Sequence, residues 1–493
     1  MVKSISRVSL DDGKSRLVRG ATSAFNDNRA IGLGMGCQVA LAQLVEVLKA
    51  IPLNGAAVER SRRATGITTD SRQLQAGNVF VALRGENFDG HDFVAQAIAQ
   101  GAIAAIVDRA FDPGELPVLQ VDDTLAAYQA IAHWWRNQFT IPVVAVTGSV
   151  GKTTTKELIA AVLGALTTGQ TLDPTILKSQ ANYNNEIGVP KTLLELDASH
   201  HLAIIEMGMR GPGEIALLSQ IARPDIAVIT NVGTAHIGRL GSETAIAQAK
   251  CELLAEMPSS GVAVINHDNP LLLEMAARVW QGTTYTFGLE GGMVQGQLLD
   301  PETLLVEGLK LPLPLPGRHN ALNYLAALTV ARVLELDWAP LTAGLTVDLP
   351  SGRAKRITLP QDVVILDETY NAGLESMQAA LHLLAQTPGS RHIAVLGTMK
   401  ELGARSPEFH HAVGQTAQQL QLDYVLIVAD EPEAGALRSG VGAVPAEVLP
   451  THAAVVQRLT ELVQPGDRLL FKASRAVGLD QVVTQFCQRY PAG

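Results

Sequence analysis

The segment Val143-Val144-Ala145-Val146-Thr147-Gly148-Ser149-Val150-Gly151-Lys152-Thr153-Thr154-Thr155 constrains this chain more than any other part of it. An apolar strand runs into a turn holding two glycines, and the turn opens a helix. Turn N–H groups and a helix N-terminus together make a nest for an anion. Lys152 would reach the β- and γ-phosphates of a nucleotide, and the Thr153 hydroxyl would ligate Mg²⁺. The common pattern G-x-x-x-x-G-K-[ST] has glycine where this chain has Val146, so the loop is a variant. An incidental lysine in a glycine-rich turn would not need strand, turn and helix in this order. Thr147, Gly148, Ser149, Val150, Gly151, Lys152, Thr153 and Thr154 are therefore the expected phosphate-binding set.

A strand feeding such a loop belongs to an α/β sheet, and the flanking sequence agrees. Leu202–Glu206, Ile226–Thr230 and Val262–Asn266 read as further buried strands, separated by helical segments, which implies a mostly parallel sheet covered on both faces. A helix over Asn320–Leu334 closes this central, P-loop-type unit. Before it, a strand over Asn78–Leu83, a helix over Phe93–Gln100 and a strand over Ile103–Val107 make a small α/β unit. Val39, Leu41, Leu44, Val45 and Leu48 fit one helical face ahead of it. After it, strands at Val363–Leu366, Ile393–Leu396, Tyr424–Val428 and Arg468–Phe471 alternate with helices, a doubly wound, Rossmann-like pattern. The 493 residues thus divide into three α/β domains, over 35–122, 123–346 and 347–493, behind a polar, weakly periodic leader, 1–34, expected to be disordered.

Composition narrows the function. Lys and Arg number 38 against 48 Asp and Glu, and only 17% of residues are charged. Nucleic acid is not an expected partner, because phosphate neutralisation needs a basic face. No apolar run approaches the roughly 18 residues of a membrane span. Cys37, Cys251 and Cys487 are too few and too scattered for a disulfide framework or a zinc site, which suits reduced thiols in a cytoplasmic protein.

Other residues carry chemistry only in combination. Glu206 ends an apolar strand, where an open α/β sheet places ligand-contacting groups, and its carboxylate would give Mg²⁺ a hard oxygen. His236, after the strand and turn at Asn231–Ala235, would hold a second metal, orient a carboxylate, or sit in a core. Lys250, alone on a helix, reads as a surface residue. Thr68-Thr69-Asp70-Ser71-Arg72 reads equally as a helix cap or an Asx turn. Asp367-Glu368-Thr369-Tyr370-Asn371-Ala372 ends a strand of the third unit, and Arg353 and Lys472 are the cations available there for a phosphate or carboxylate.

Taken together, these motifs resemble the Mur ligase family, ATP-dependent amide-forming enzymes of peptidoglycan precursor synthesis. The resemblance rests on the Thr147–Thr155 loop, Asn182-Tyr183-Asn184-Asn185-Glu186-Ile187-Gly188-Val189-Pro190, Glu206-Met207-Gly208, Asn231–His236, Gly317-Arg318-His319-Asn320, Gly352-Arg353 and Asp367–Ala372, and spans roughly residues 39 to 490. Thr69–Arg72, Phe80–Gly85 and Asp89-Gly90-His91 look like the family's uridine-binding N-terminal domain. Tyr370-Asn371-Ala372 with Ser376-Met377 looks like the members that add a D-Ala-D-Ala dipeptide to UDP-MurNAc-tripeptide. The Asp-Asn-Pro-Arg of the diamino-acid-adding members has no counterpart. The chain departs from the family at Gly373-Leu374, Thr398 and Ala473.

The resemblance implies ATP and Mg²⁺ as cofactors and an acyl-phosphate route. It implies catalytic roles for Lys152, His236, Lys250 and Arg353, with metal on Thr153, Glu206 and His236. Lys250 matches a position carbamoylated in several members. Asn320 would face adenine and Asp367 the ribose. Ser71, Arg72, Asn182, Asn185, Tyr370, Asn371 and Lys472 would meet the peptide and uridine substrates. A monomer that closes its three domains before chemistry is expected. The competing readings are a member that adds a diamino acid to UDP-MurNAc-dipeptide, a folylpolyglutamate-synthase-like ligase, for which the uridine domain is superfluous, and a P-loop nucleotide switch.

Overall fold

A computed structural model describes residues 36–55, 59–167 and 175–490. The expected leader lies outside them. Three main sheets organise the described residues.

The central sheet has nine strands, in the order Leu309–Pro312, Thr303–Val306, Val294–Asp300, Thr283–Gly288, Val262–Asn266, Ile226–Ile229, Val143–Thr147, His200–Glu206 and Thr175–Lys178. From Thr175–Lys178 to Val294–Asp300 all pairs are parallel, and the last two are antiparallel. Alternation along each strand sends successive residues to opposite faces. Val144, Val146, Ile204 and Val228 pack under the helices Lys152–Thr167 and Arg318–Val333. Val143, Ala145, Ile205 and Ile229 pack under Thr124–Arg136, Glu214–Ala222 and Glu243–Ala255. With both faces covered, these strands need to be apolar throughout, which is why they were readable as continuous runs. Val143–Thr147 lies between His200–Glu206 and the next strand of the chain, Ile226–Ile229, so the strand order reverses direction across it. The phosphate loop therefore leaves the sheet at its topological switch point.

The N-terminal sheet runs Ile51–Leu53, Val118–Val121, Ala104–Asp108, Val79–Val81 and Ile67–Thr68, beside a two-stranded pair, Val39–Ala40 with Arg63–Ala64. Val39, expected on the helical face, pairs in that strand, and the helix is Leu41–Leu48. Helix Thr124–Arg136 starts at Asp123, whose carboxylate accepts from Leu125 N and Ala126 N. It packs on both the Leu41–Leu48 helix and the central Gly188–Leu193 and Glu214–Ala222 helices. Trp135 Nε1 donates to Leu196 O at 2.9 Å, and Arg136 pairs with Asp225 at 3.0 Å. One helix thereby fastens the N-terminal unit to the central one.

The C-terminal sheet has six strands, Lys355–Leu359, Val363–Asp367, Asp467–Lys472, Arg391–Gly397, Tyr424–Val428 and Ala446–Val448. Only the first is antiparallel. The marginal strands Leu309–Pro312 and Lys355–Leu359 carry Lys310, Pro312, Lys355 and Arg356 exposed. Among the described residues, no helix is long and apolar enough to cross a membrane. All three cysteines are free, with Cys37 and Cys251 buried.

Candidate active site

The loop is built by backbone approach. Gly148 sits at φ 153°, and a Cβ there would lie 1.9 Å from Thr230 Oγ1, so no other residue fits without moving that strand end. Asn231 clasps the loop crown: its side chain accepts from Val150 N and donates to Val150 O, both at 3.0 Å. Val146, at the position of the usual first glycine, is fully buried in the sheet. The glycine is dispensable because the chain is still a strand at that point. Lys152 Nζ lies back on its own loop, donating to Gly148 O at 2.8 Å.

Thr153 Oγ1 donates to Glu206 Oε2 at 2.8 Å. The expected metal pair is thus assembled from the first turn of helix Lys152–Thr167 and the end of the neighbouring strand His200–Glu206, and Glu206 is only 3% exposed. Two residues to which the sequence reading gave no role hold it. Asn184 Nδ2 donates to Glu206 Oε1 at 2.8 Å. Lys156 Nζ, fully buried, donates to Ser179 O at 2.6 Å and lies 3.0 Å from Glu157 Oε1 and 3.9 Å from Glu206 Oε2. Lys156 was findable: it follows Lys152 by four residues and shares its helix face. Asn185, by contrast, caps the Gly188–Leu193 helix, its Oδ1 accepting from Gly188 N at 2.8 Å, and Asn182 is exposed. Beyond Gly208 a cleft of about 210 Å³ opens between Asn185, Arg210 and Glu214.

Around the loop the structure gathers cations from two domains. Lys152 is depressed from the usual lysine range by burial, with Glu206 opposing and Arg353 adding to the shift. Lys472 is depressed by burial, against Glu368 and with Arg353. Its Nζ donates to Asn371 O at 3.0 Å. Arg353 stacks 3.8 Å over the Tyr370 ring, with its Nε buried and unpartnered. Lys250, read as a surface residue from the sequence, is 1% exposed. Its amine is held well below the lysine range, first by burial and then by Lys152. Among the described residues no carboxylate pairs with it. His236 is depressed by burial first, and by Lys152 and Lys250, against Glu401, whose Oε2 lies 2.5 Å from its Nδ1. It occupies φ 66°, a left-handed conformation imposed by that loop's contacts.

The residues expected at the nucleotide end behave differently. Asn320 donates to Pro316 O at 2.8 Å and is linked through Asn323 to Thr155 of the loop helix. Asp367 is buried and accepts from Thr369 Oγ1 at 2.6 Å. His319, given no role in the sequence reading, has its pKa lowered by burial first and by Lys472, with Glu368 opposing. In the N-terminal domain, Arg72 forms a two-point pair with Asp70, at 2.8 Å on both oxygens, holding the carboxyl at about 2. The turn is thus an Asx-type turn, with Asp70 Oδ1 accepting from Arg72 N at 3.0 Å. Ser71 sits at its tip, away from the phosphate loop's own contacts.

Comparison with known proteins finds related chains. Residues 146–331 match the Mur ligase middle domain, 352–475 the Mur ligase glutamate ligase domain, and 63–134 the Mur ligase family catalytic domain. The UDP-N-acetylmuramoyl-tripeptide–D-alanyl-D-alanine ligase of Synechocystis sp. is 53% identical over 93% of this chain and 99% of its own length. A crystal structure of MurF from Acinetobacter baumannii superposes with a TM-score of 0.83 at 31% identity, over 92% of this chain and all of that one. The MurF ligase of Thermotoga maritima in complex with ADP superposes at 0.75, with 31% identity, over 86% and 97%.

Proposed function

The chain belongs to the Mur ligase family, and we propose that within it this protein joins D-alanyl-D-alanine to UDP-N-acetylmuramoyl-tripeptide, with ATP as energy source, in peptidoglycan synthesis. The observation that carries the reading is the convergence of charges beside the Thr153–Glu206 pair: Arg353 of the C-terminal domain lies within electrostatic reach of Lys152 on the loop and of Lys472.

The chemistry needs that convergence. A carboxylate and a triphosphate repel each other, and fixed positive charge has to cancel the repulsion before they meet. ATP supplies the phosphoryl group that activates the tripeptide carboxylate as an acyl phosphate, which the dipeptide amine then attacks with loss of phosphate. Lys152, swung off Gly148 O, neutralises the incoming phosphates. Arg353 and Lys472 bring charge from the C-terminal domain to the same point. Asn320 and Asp367 hold the adenosine end. Ser71 and Arg72 meet the uridine nucleotide. Tyr370, Asn371 and the cleft beside Asn185 line the path of the peptides, with Asn182 at its rim. Thr153 and Glu206 suit Mg²⁺, which keeps several waters and takes one or two protein oxygens beside nucleotide phosphates. Bound there, the ion would screen phosphate charge. His236 is the further ligand in this reading, with Glu401 fixing its ring. A monomer is part of this reading, and the nucleotide-linked substrates support a cytoplasmic setting.

Phosphate release from ATP by the purified protein tests this. Release is expected only with UDP-MurNAc-tripeptide and D-Ala-D-Ala together, with UDP-MurNAc-pentapeptide as product. Release with UDP-MurNAc-dipeptide and a diamino acid would move the protein one step earlier. Turnover indifferent to every peptide would make it a nucleotide switch.

Lys250 gives a second expectation. A lysine whose burial favours the neutral amine is a better nucleophile for CO₂, and the resulting carbamate would be an anion among cations. The sign follows from the depressed pKa: the neutral amine persists to lower pH than in a free lysine and is lost as pH falls through the folded value. With ¹³C-bicarbonate, a carbamate resonance is expected in the wild type near pH 8, fading on acidification and absent in Lys250→Met. A wild-type spectrum identical to that of the variant would refute the modification.

A further inference from the structure

Two successive peptide groups of the central domain are held from opposite sides. Thr234 N donates to Glu375 Oε1 at 2.6 Å and Thr234 Oγ1 to Glu375 Oε2 at 3.2 Å, across the boundary to the C-terminal domain. On the other side, Gly233 N donates to Ser149 Oγ at 2.9 Å, and Ser149 N donates to Asn231 O at 3.1 Å. A carboxylate at the start of helix Leu374–Gln386 is thus two hydrogen bonds from the phosphate loop. Among the described residues no cation pairs with Glu375, so its charge is spent on neutral donors of the other domain. A few residues on, the same segment meets the C-terminal domain backbone to backbone. Gly238 N donates to Glu401 O at 3.1 Å. A Cβ on Gly238 would lie 2.4 Å from Gly403 N and 2.8 Å from Glu401 O, and one on Gly403 would lie 2.8 Å from Gly238 Cα.

We propose that Glu375 is a positioning residue and the Gly238–Gly403 contact its seat: docking of the C-terminal domain on residues 231–238 sets Ser149, and with it the phosphate loop, for catalysis. The proposal rests on the ligase reading above. Docking and loop geometry are then one event. The domain that delivers Arg353 and Lys472 orders the loop as it arrives. A loop ordered only on docking limits phosphoryl transfer to water while the peptide side is open.

Gly238→Ala is the sharpest probe. Gly238 lies in the short helix Ile237–Leu240, where alanine is favoured over glycine, and every close contact of its added Cβ is with the C-terminal domain. Glu375→Ala removes both hydrogen bonds, and in Glu375→Gln the amide oxygen still accepts from Thr234 N. Three readouts are needed: thermal midpoint, kcat with the KM of each substrate from phosphate release, and compaction measured by energy transfer between dyes on the central and C-terminal domains. The first two variants are expected to keep the wild-type midpoint and to lose about tenfold to a hundredfold in kcat. They should leave KM for UDP-MurNAc-tripeptide within about twofold and fail to compact with a non-hydrolysable ATP analogue. Gln should recover most of the rate. Wild-type kcat and compaction in Gly238→Ala would overturn the proposal, as would Gln performing no better than Ala. Should Glu375→Ala fail to fold, Gly238→Ala and Glu375→Gln decide. A wild type without peptide-dependent turnover would refute the ligase reading instead, and the compaction measurement would still test the seat.

Discussion

Lys152→Ala is expected to lower kcat by about 10²–10³-fold or more, with the fold intact. The lysine is the one cation carried by the phosphate loop itself, and Arg353, whose charge it feels, arrives from another domain. In the transition state, charge spreads over the transferring phosphoryl oxygens while a carboxylate closes on them, so a lost ammonium is felt there more than in nucleotide binding. Stability should barely move. Without nucleotide, Nζ only meets Gly148 O and Ser149 O, at 2.8 and 3.5 Å, on a half-buried side chain whose acceptors water can reach once it is gone. Lys152→Arg should restore little, because a planar guanidinium does not occupy the place of a compact ammonium at the end of this short loop. Phosphate release and thermal unfolding of both variants check this. An alanine variant within tenfold of the wild-type rate would show that the loop lysine does not stabilise the transferring group.

Glu206→Gln should be comparably damaging and should raise the Mg²⁺ concentration needed for half-maximal rate. The substitution keeps shape and costs one charge. Thr153 and Asn184, which hold the two oxygens at 2.8 Å each, would face one oxygen and one amide nitrogen. Lys156 decides whether the fold survives. A buried lysine stripped of its counter-ion usually costs several kcal/mol. Here Glu157 at 3.0 Å and Ser179 O at 2.6 Å remain, against Glu206 at 3.9 Å, so the charge stays compensated. The expected result is a thermal midpoint close to wild type, a rate loss of about 10²-fold or more, and a partial return at high Mg²⁺. Loss of rate with an unchanged Mg²⁺ requirement would mean that Glu206 orients Thr153 and binds no metal.

What was legible in the sequence was what is local. Strand, turn and helix at Val143–Thr167 lie within one stretch, and each buried parallel strand announces itself as an apolar run. The Thr283–Pro312 region escaped because its strands are half-buried: in Val294–Asp300 buried Val294 and Gly296 alternate with exposed Gln295 and Gln297, which reads as loop. Lys355–Leu359 escaped for the same reason, as a polar margin. At the site, Lys152 and Thr153 were readable from the loop that opens a helix, and Glu206 from its place at a strand end. The burial of Lys250 was not, because it depends on which helices pack over it. Glu375 and Thr234 are 141 residues apart and carry no shared signature, so only the docked domains bring them together.

The margins of the sheets have a consequence for the protein at high concentration. An open strand edge offers its free N–H and C=O groups to any other chain in solution. Leu309–Pro312 ends in a residue with no N–H, followed by Pro314 and Pro316, and Lys310 stands outward beside it. Lys355–Leu359 presents Lys355 and Arg356. A second copy approaching either edge meets a missing donor or a like charge. The polarity that hid these strands from the sequence is what keeps one sheet from continuing into the next, so that crowding favours separate, working molecules over fibrous aggregates.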